Sequence, residues 1–216
     1  DFAREAVARG AVALLVGRPL PIPVPQVQVE DPRRAMATVA AVLAGHPSQS
    51  LTVVGVTGTN GKTTTVQLLA GVLQEAGVRT LALGTLTGSR TTPEAPDLQR
   101  TLARWRDDGG AAVAMEVSSH ALALHRVDGT RFRGAVFTNL SRDHLDFHGT
   151  MEAYFEAKAR LFRPELSECA VVNLDSPHGR LLRDASMIPT VGYRLADLDD
   201  LEVGRTGSRF RWRGQR

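Results

Sequence analysis

The chain has 216 residues, 43% of them apolar, with a formal net charge of +3 and a pI near 9.6. That is enough apolar material for one or two cored domains. The 26 basic and 23 acidic residues are interspersed, which argues against a nucleic-acid-binding stripe. The single cysteine, Cys169, excludes an internal disulfide and a cysteine-rich metal centre, and no apolar run nears the ~18 residues of a membrane span. A cytoplasmic protein that neither binds nucleic acid nor inserts into a membrane is therefore expected, and a monomer is the accompanying expectation.

In chain order, the pattern predicts a helix over about 2–9, a strand over 11–16, a proline-rich turn over 18–25, a strand over 27–29 and a helix over about 32–44. Asp31 can cap that last helix, with Pro32 in its first turn. The polar stretch 46–50 reads as a domain boundary. Strands and helices then alternate. A strand over 51–56 leads through a glycine-rich loop into a helix from about 63, whose expected apolar stripe is Val66, Leu69, Val72, Leu73 and Ala76, with Gly77 as its stop. A strand over 80–83, a helix over 97–106 and a nearly all-apolar strand over 111–117 follow. Next come a strand over 135–138, a helix over 150–162, a strand over 169–173 and a weaker one over 188–192, with a strand-like stretch at 208–212. Cys169, in an apolar setting, reads as core. Such alternation predicts a mostly parallel α/β sheet flanked by helices, with ligands beyond the C-terminal strand ends.

The segment TGTNGKTTT at 57–65 has the build of a phosphate loop. Backbone N–H groups cradle phosphates, Lys62 neutralises charge and the Thr63 hydroxyl reaches Mg²⁺. Thr57, Gly58, Thr59, Asn60, Gly61, Lys62, Thr63 and Thr64 form the expected nucleotide-contacting set. Strict P-loop spacing asks for glycine at position 56, which is Val56. Only two of the 26 basic residues are lysine, Lys62 and Lys158, so a lysine here suggests a need for a primary amine. Glu116 ends an apolar strand, where a carboxylate is costly unless it meets a cation; Mg²⁺ beside Thr63 and a salt bridge to an arginine are the two options. The segment NLSRDHLDFH at 139–148 gathers Asn139, Asp143, His144, Asp146 and His148 beyond a strand end, as a site or as a polar surface loop.

Lys158 lies on a helix whose core face is expected at Met151, Phe155 and Leu161 or Phe162, and its ordinary reading is a solvated side chain. Against that, its neutral amine has a nucleophilicity no arginine offers. Thr91 and Thr92 precede a helix in a proline-stiffened loop. Ser118, Ser119 and Arg126 are polar groups near Glu116. A Ser118 or Ser119 nucleophile with His120 is disfavoured, since neighbours in sequence rarely face each other and no G-x-S-x-G elbow is present.

Taken together, TGTNGKTTT, EVSSHAL at 116–122, FTNLSRDHLDFH at 137–148 and EAK at 156–158 resemble the Mur ligases, and Val56 matches that family's form of the loop. The resemblance covers about 55–162 and implies a P-loop-type ATP-binding domain. It implies an acid–amino-acid ligase: ATP phosphorylates a substrate carboxylate, and an amine attacks the acyl phosphate. The nearest branch adds a diamino acid, meso-diaminopimelate or L-lysine, to UDP-MurNAc-L-Ala-D-Glu in peptidoglycan synthesis. By the same resemblance Lys62 and the loop amides hold the β- and γ-phosphates and Asn139 lies near the nucleotide. Thr63 and Glu116 hold one Mg²⁺, and His144 and a carbamylated Lys158 serve a second. Thr91, Thr92, Ser118 and Arg126 hold the UDP-muramoyl-dipeptide. Arg90 and Leu124 stand where some members carry Asn and Gln.

It further implies that 1–48 is the end of a UDP-binding domain and 49–216 an ATP-binding domain lacking its last strands. The amino-acid-binding domain would be absent and the segment inactive alone. A folylpolyglutamate synthetase-like ligase and a non-catalytic nucleotide-binding fragment are the alternatives; a GTPase is disfavoured because no N-K-x-D motif is found.

Overall fold

The computed structural model describes residues 2–88, 90–205 and 207–212. The first segment holds α1 (Phe2–Ala8), two short parallel strands, β1 (Leu14–Val16) and β2 (Gln26–Gln28), and α2 (Pro32–Leu43). Asp31 caps α2 as expected, accepting from Arg33 N and Arg34 N at 2.9 and 3.1 Å. Then follow β3 (Thr52–Thr57), α3 (Lys62–Glu75), β4 (Thr80–Leu83), α4 (Ala95–Asp107), β5 (Ala112–Glu116) and α5 (Ser119–Ala123). After these come β6 (Gly134–Phe137), α6 (Leu145–His148), α7 (Met151–Ala159), β7 (Ala170–Asn173), α8 (Pro177–Asp184), β8 (Thr190–Tyr193) and the antiparallel pair β9 (Leu198–Gly204) and β10 (Gly207–Trp212).

Six strands form one parallel sheet in the order β4-β5-β3-β6-β7-β8. Every residue of β5 is buried, which is why its sequence is nearly all apolar. On one face Val66 and Ala70 of α3 pack on Val56 and Ala114. On the other, Leu98 and Leu102 of α4 join Val113, Met115, Phe132 and Phe137 in the larger core. Val56 pairs with Glu116 and Thr57 with Phe137, so the central strands end level and deliver their following residues to one edge.

The first segment is tied to this layer: α2 packs on α4, Arg106 donates to Gly45 O at 3.1 Å, and His125 Nε2 lies 3.3 Å from Asp31. No helix among the described residues is long and apolar enough to cross a membrane.

Three expectations are corrected. Cys169 is exposed, because it precedes β7 at the sheet's N-terminal rim, where its thiol donates to Arg133 O at 3.1 Å. Val72 and Ala76 of the expected stripe are exposed, since the face of α3 that meets the sheet is Val66 and Ala70 flanked by Leu69. The buried face of α7 is Tyr154, Ala157 and Lys158, continued by Leu161, not Met151 and Phe155, which are half-buried.

Candidate active site

The loop between β3 and α3 is shaped by two glycines. Gly58 has φ +152° and Gly61 φ +83°; a Cβ on Gly58 would lie 1.9 Å from Thr138 Oγ1, so only glycine fits there. Gly61 precedes α3 with no side-chain cap, which leaves the first-turn N–H groups facing any anion in the loop. The β6 exit holds the loop open. Asn60 N donates to Asn139 Oδ1 at 3.0 Å, Asn139 Nδ2 donates to Asn60 O at 3.2 Å, and Thr138 Oγ1 donates to Asn60 O at 2.6 Å. Thr59 Oγ1 accepts from Ser141 N at 3.0 Å. Asn139 thus grips the loop backbone. Thr57 is fully buried with its hydroxyl unpartnered, and Thr64 is exposed on the first turn of α3.

Both lysines converge on this loop. Lys62 Nζ folds back to donate to Gly58 O and Thr59 O, each at 2.9 Å. Burial pulls its pKa down, while Glu116 and Asp143 pull the other way. Lys158, only 1% exposed, donates to the same Gly58 O at 3.0 Å, which overturns the solvated reading. Its ammonium lies 4.5 Å over the Tyr154 ring. Burial first, and repulsion from Lys62 second, bring its pKa down to about 7. Tyr154, also fully buried, reaches Thr59 Oγ1 with its hydroxyl at 3.2 Å.

Glu116 is 2% exposed. It accepts from Thr63 Oγ1 at 2.9 Å, Thr85 N at 2.8 Å and Thr85 Oγ1 at 3.4 Å. Among the described residues no arginine or lysine forms an ion pair with it, so the arginine option fails. A buried carboxylate held only by neutral donors, with a threonine hydroxyl beside it, is suited to a hard divalent cation.

His144, half-exposed and with φ +50°, lies 3.4 Å from Asp143 and meets the His120 ring edge-on at 4.8 Å. His120 packs on Phe147 at 4.2 Å. Burial lowers the pKa of both His120 and His148, aided by repulsion from His144 and His120 respectively. Ser119, 1% exposed, is partnered by His148 at 3.0 Å and Ser118 by Ala121 N, so the pairing of either serine with His120 is not formed. Among the described residues no three His, Cys, Asp or Glu side chains are grouped to hold a metal ion.

The middle-domain profile of the Mur ligases matches residues 56–207. The chain belongs to the Mur ligase family. It is 46% identical over 214 residues to the UDP-N-acetylmuramoyl-L-alanyl-D-glutamate–2,6-diaminopimelate ligase of Geobacter metallireducens, covering 91% of this chain and 42% of that protein. To the protein of that name in Xylella fastidiosa (strain Temecula1) it is 48% identical over 218 residues, covering 94% and 44%. A solved structure of a protein of that name superposes with a TM-score of 0.84 at 34% identity, covering 97% of this chain and 47% of that one. The chain therefore spans less than half the length of the curated relatives it matches.

In this Mur ligase domain the residues expected at the dipeptide border Glu116. Thr92, buried, donates to Glu116 O at 2.9 Å and accepts from Ser118 N at 3.0 Å. Ser118 caps α5 by accepting from Ala121 N at 3.1 Å. Thr91 Oγ1 is 3.1 Å from Thr85 Oγ1. Arg126 donates to Thr92 O at 3.3 Å and pairs with Glu94 at 2.9 Å, while its Nε is buried without an acceptor. Arg90 is exposed and also pairs with Glu94; Leu124 closes α5.

Sequence reasoning passed over Thr85, Tyr154 and Glu94. Each had a signal. Thr85 follows a strand end, Tyr154 is one helical turn before Lys158, and Glu94 directly follows the TTP motif.

Proposed function

We propose that this chain supplies the ATP-binding and carboxylate-activating part of a ligase that joins a diamino acid to UDP-MurNAc-L-Ala-D-Glu. The names of the relatives favour 2,6-diaminopimelate over lysine as that amino acid. The observation that carries the reading is the convergence of Lys62, Lys158 and the Thr63–Glu116 pair on one glycine loop. ATP would transfer its γ-phosphoryl group to a substrate carboxylate, releasing ADP. The amine would then attack the acyl carbon, lose a proton and displace phosphate. Each step brings anions together, so the protein's task is positioning and charge neutralisation. Lys62 and the loop amides hold the β- and γ-phosphates, and Asn139 keeps the loop open for them. Thr91, Thr92, Ser118 and Arg126 hold the muramoyl-dipeptide.

The buried Glu116 carboxylate beside the Thr63 hydroxyl suits one Mg²⁺, and His144 with a carbamylated Lys158 would hold a second. Bound there, they would neutralise phosphate and carboxylate charge. The carbamate forms when the neutral Lys158 amine adds CO₂ and releases a proton. A buried amine beside a second cation is placed to be neutral, and the resulting anion removes the clash of two ammoniums on Gly58 O. We assign residues 1–48 to the end of a UDP-binding unit and 49–216 to the ATP-binding unit of a cytoplasmic, monomeric enzyme.

The test is calorimetric titration of MgATP into the chain and its Lys62→Ala variant. Affinity should fall about 100-fold, the worth of one or two charge-assisted hydrogen bonds. Equal affinity in a folded variant removes the assignment.

A further inference from the structure

Glu94 joins three guanidiniums from three separate segments. Arg126, after α5, lies 2.9 Å from Oε1; Arg90, ahead of α4, reaches the same oxygen; Arg33, in the first turn of α2, lies 3.6 Å from Oε2. The inner pair is the sheltered one. The side chains of Arg126 and Glu94 are 15% and 26% exposed, whereas those of Arg33 and Arg90 are 51% and 56% exposed. Exposed pairs contribute little, so the Glu94–Arg126 contact dominates.

Glu94 also occupies the N-cap position of α4, where a carboxylate ordinarily accepts from the helix N–H groups. Its side chain makes no such bond and turns to the arginines instead. Arg126 is thereby held at two corners, by Glu94 and by Thr92 O, while its buried Nε–H has no acceptor. Three guanidiniums against one carboxylate leave the cluster short of negative charge. A guanidinium fixed in this way, with one sheltered N–H still lacking an acceptor, is preorganised for one more oxyanion.

We infer that Glu94 is a positioning residue for the muramoyl-dipeptide. It sets the rotamer of Arg126 so that the unpartnered Nε–H receives a carboxylate or phosphate oxygen of that substrate, and through Arg33 it ties the first segment to the same site. This rests on the substrate assigned above.

The experiment is steady-state kinetics in the full-length ligase. Glu94→Gln raises KM for UDP-MurNAc-L-Ala-D-Glu about 10-fold, with kcat and KM for ATP within about twofold, the split expected when only substrate binding is lost. Glu94→Asp, which keeps the charge, recovers part of the loss. Arg126→Ala raises the same KM, and adding Glu94→Gln to it costs nothing further, because both act through one contact. Three results overturn the inference: an unchanged KM, a lowered KM (Glu94 then competes with the substrate for Arg126), or additive effects in the double variant. Thermal unfolding of each variant guards against a merely structural loss, since Glu94→Asp must recover KM at an unfolding midpoint like that of Glu94→Gln. Calorimetric MgATP binding separates the two readings. If the wild type binds MgATP and turns over the dipeptide while Glu94→Gln behaves like it, only the role of Glu94 falls. If the wild type does not use the dipeptide at all, the substrate assignment falls and this inference with it.

Discussion

Replacing Lys158 by methionine isolates what burial does to this amine. The side chain is 1% exposed, and its pKa is brought from 10.5 to about 7, chiefly by desolvation and then by Lys62. The unfolded chain therefore holds a proton that the folded chain releases between those two values. Stability linked to Lys158 is intact above pH 10.5, declines as the pH falls toward 7 and is at its lowest below that. At 1.36 kcal/mol per pH unit, the full cost is about 5 kcal/mol below pH 7 and about 2 kcal/mol at pH 9. Methionine has a similar length and no charge. It forfeits the bond to Gly58 O and the contact over Tyr154; the charge-dependent part of both is already contained in the folded pKa, and only the loss of the neutral amine's contacts adds an offset that does not vary with pH. Urea unfolding of both proteins at pH 6, 7, 8 and 9, in buffer freed of CO₂, should show the stability of Lys158→Met relative to wild type shrinking by roughly 3 kcal/mol from pH 6 to pH 9. A difference that is flat across that range would refute the burial reasoning, whatever its absolute size.

Asn139→Ala removes both side-chain bonds to Asn60; MgATP affinity measured by calorimetry should drop about 10-fold because the loop is no longer held open, and an unchanged affinity would show that Thr138 alone suffices. Glu116→Gln keeps an oxygen for Thr85 N but removes the charge, so the Mg²⁺ concentration giving half-maximal ATP binding should rise about 10-fold with little change in the urea midpoint; an unaltered Mg²⁺ requirement would exclude Glu116 as a metal ligand.

The parallel sheet was legible because its strands are buried on both faces, and β5 therefore reads as an unbroken apolar run. The glycine loop after β3 was legible because glycine is required where φ is positive and the backbone passes close to Thr138. The sheltered face of α7 was not. Its spacing is regular, at Tyr154, Ala157, Lys158 and Leu161, but a helical stripe is recognised by apolar residues, and half of this one is polar. Tyr154 and Lys158 are buried on it as polar residues, so the hydrophobic pattern points to the neighbouring Phe155. α8 escaped notice for a different reason: it has 8 residues, and so short a helix is stabilised mainly by what it packs on. β9 and β10 expose nearly all their residues, so no alternation marks β9 as a strand. Thr85 and Glu94 belong to loops, where only the fold shows which side chains face the pocket.

The scarcity of lysine and the geometry of the loop explain each other. In a chain that otherwise uses arginine, both lysines direct their amines at the carbonyl oxygen of Gly58. Two guanidiniums would not serve there. Each is planar, bulky and charged at every accessible pH, and two permanent cations sharing one buried acceptor have no means of relieving their repulsion except by moving apart. An amine has another course, because it can give up its proton. Lys62, which feels the carboxylate of Glu116 in addition to that of Asp143, is the one favoured to stay charged, which suits a phosphate ligand. Lys158, deeper and repelled by Lys62, is the one favoured to become neutral, which suits reaction with CO₂. On the proposed reading the pair would supply a fixed cation and a convertible group side by side, and arginine at either position would lack the amine chemistry that this reading asks for.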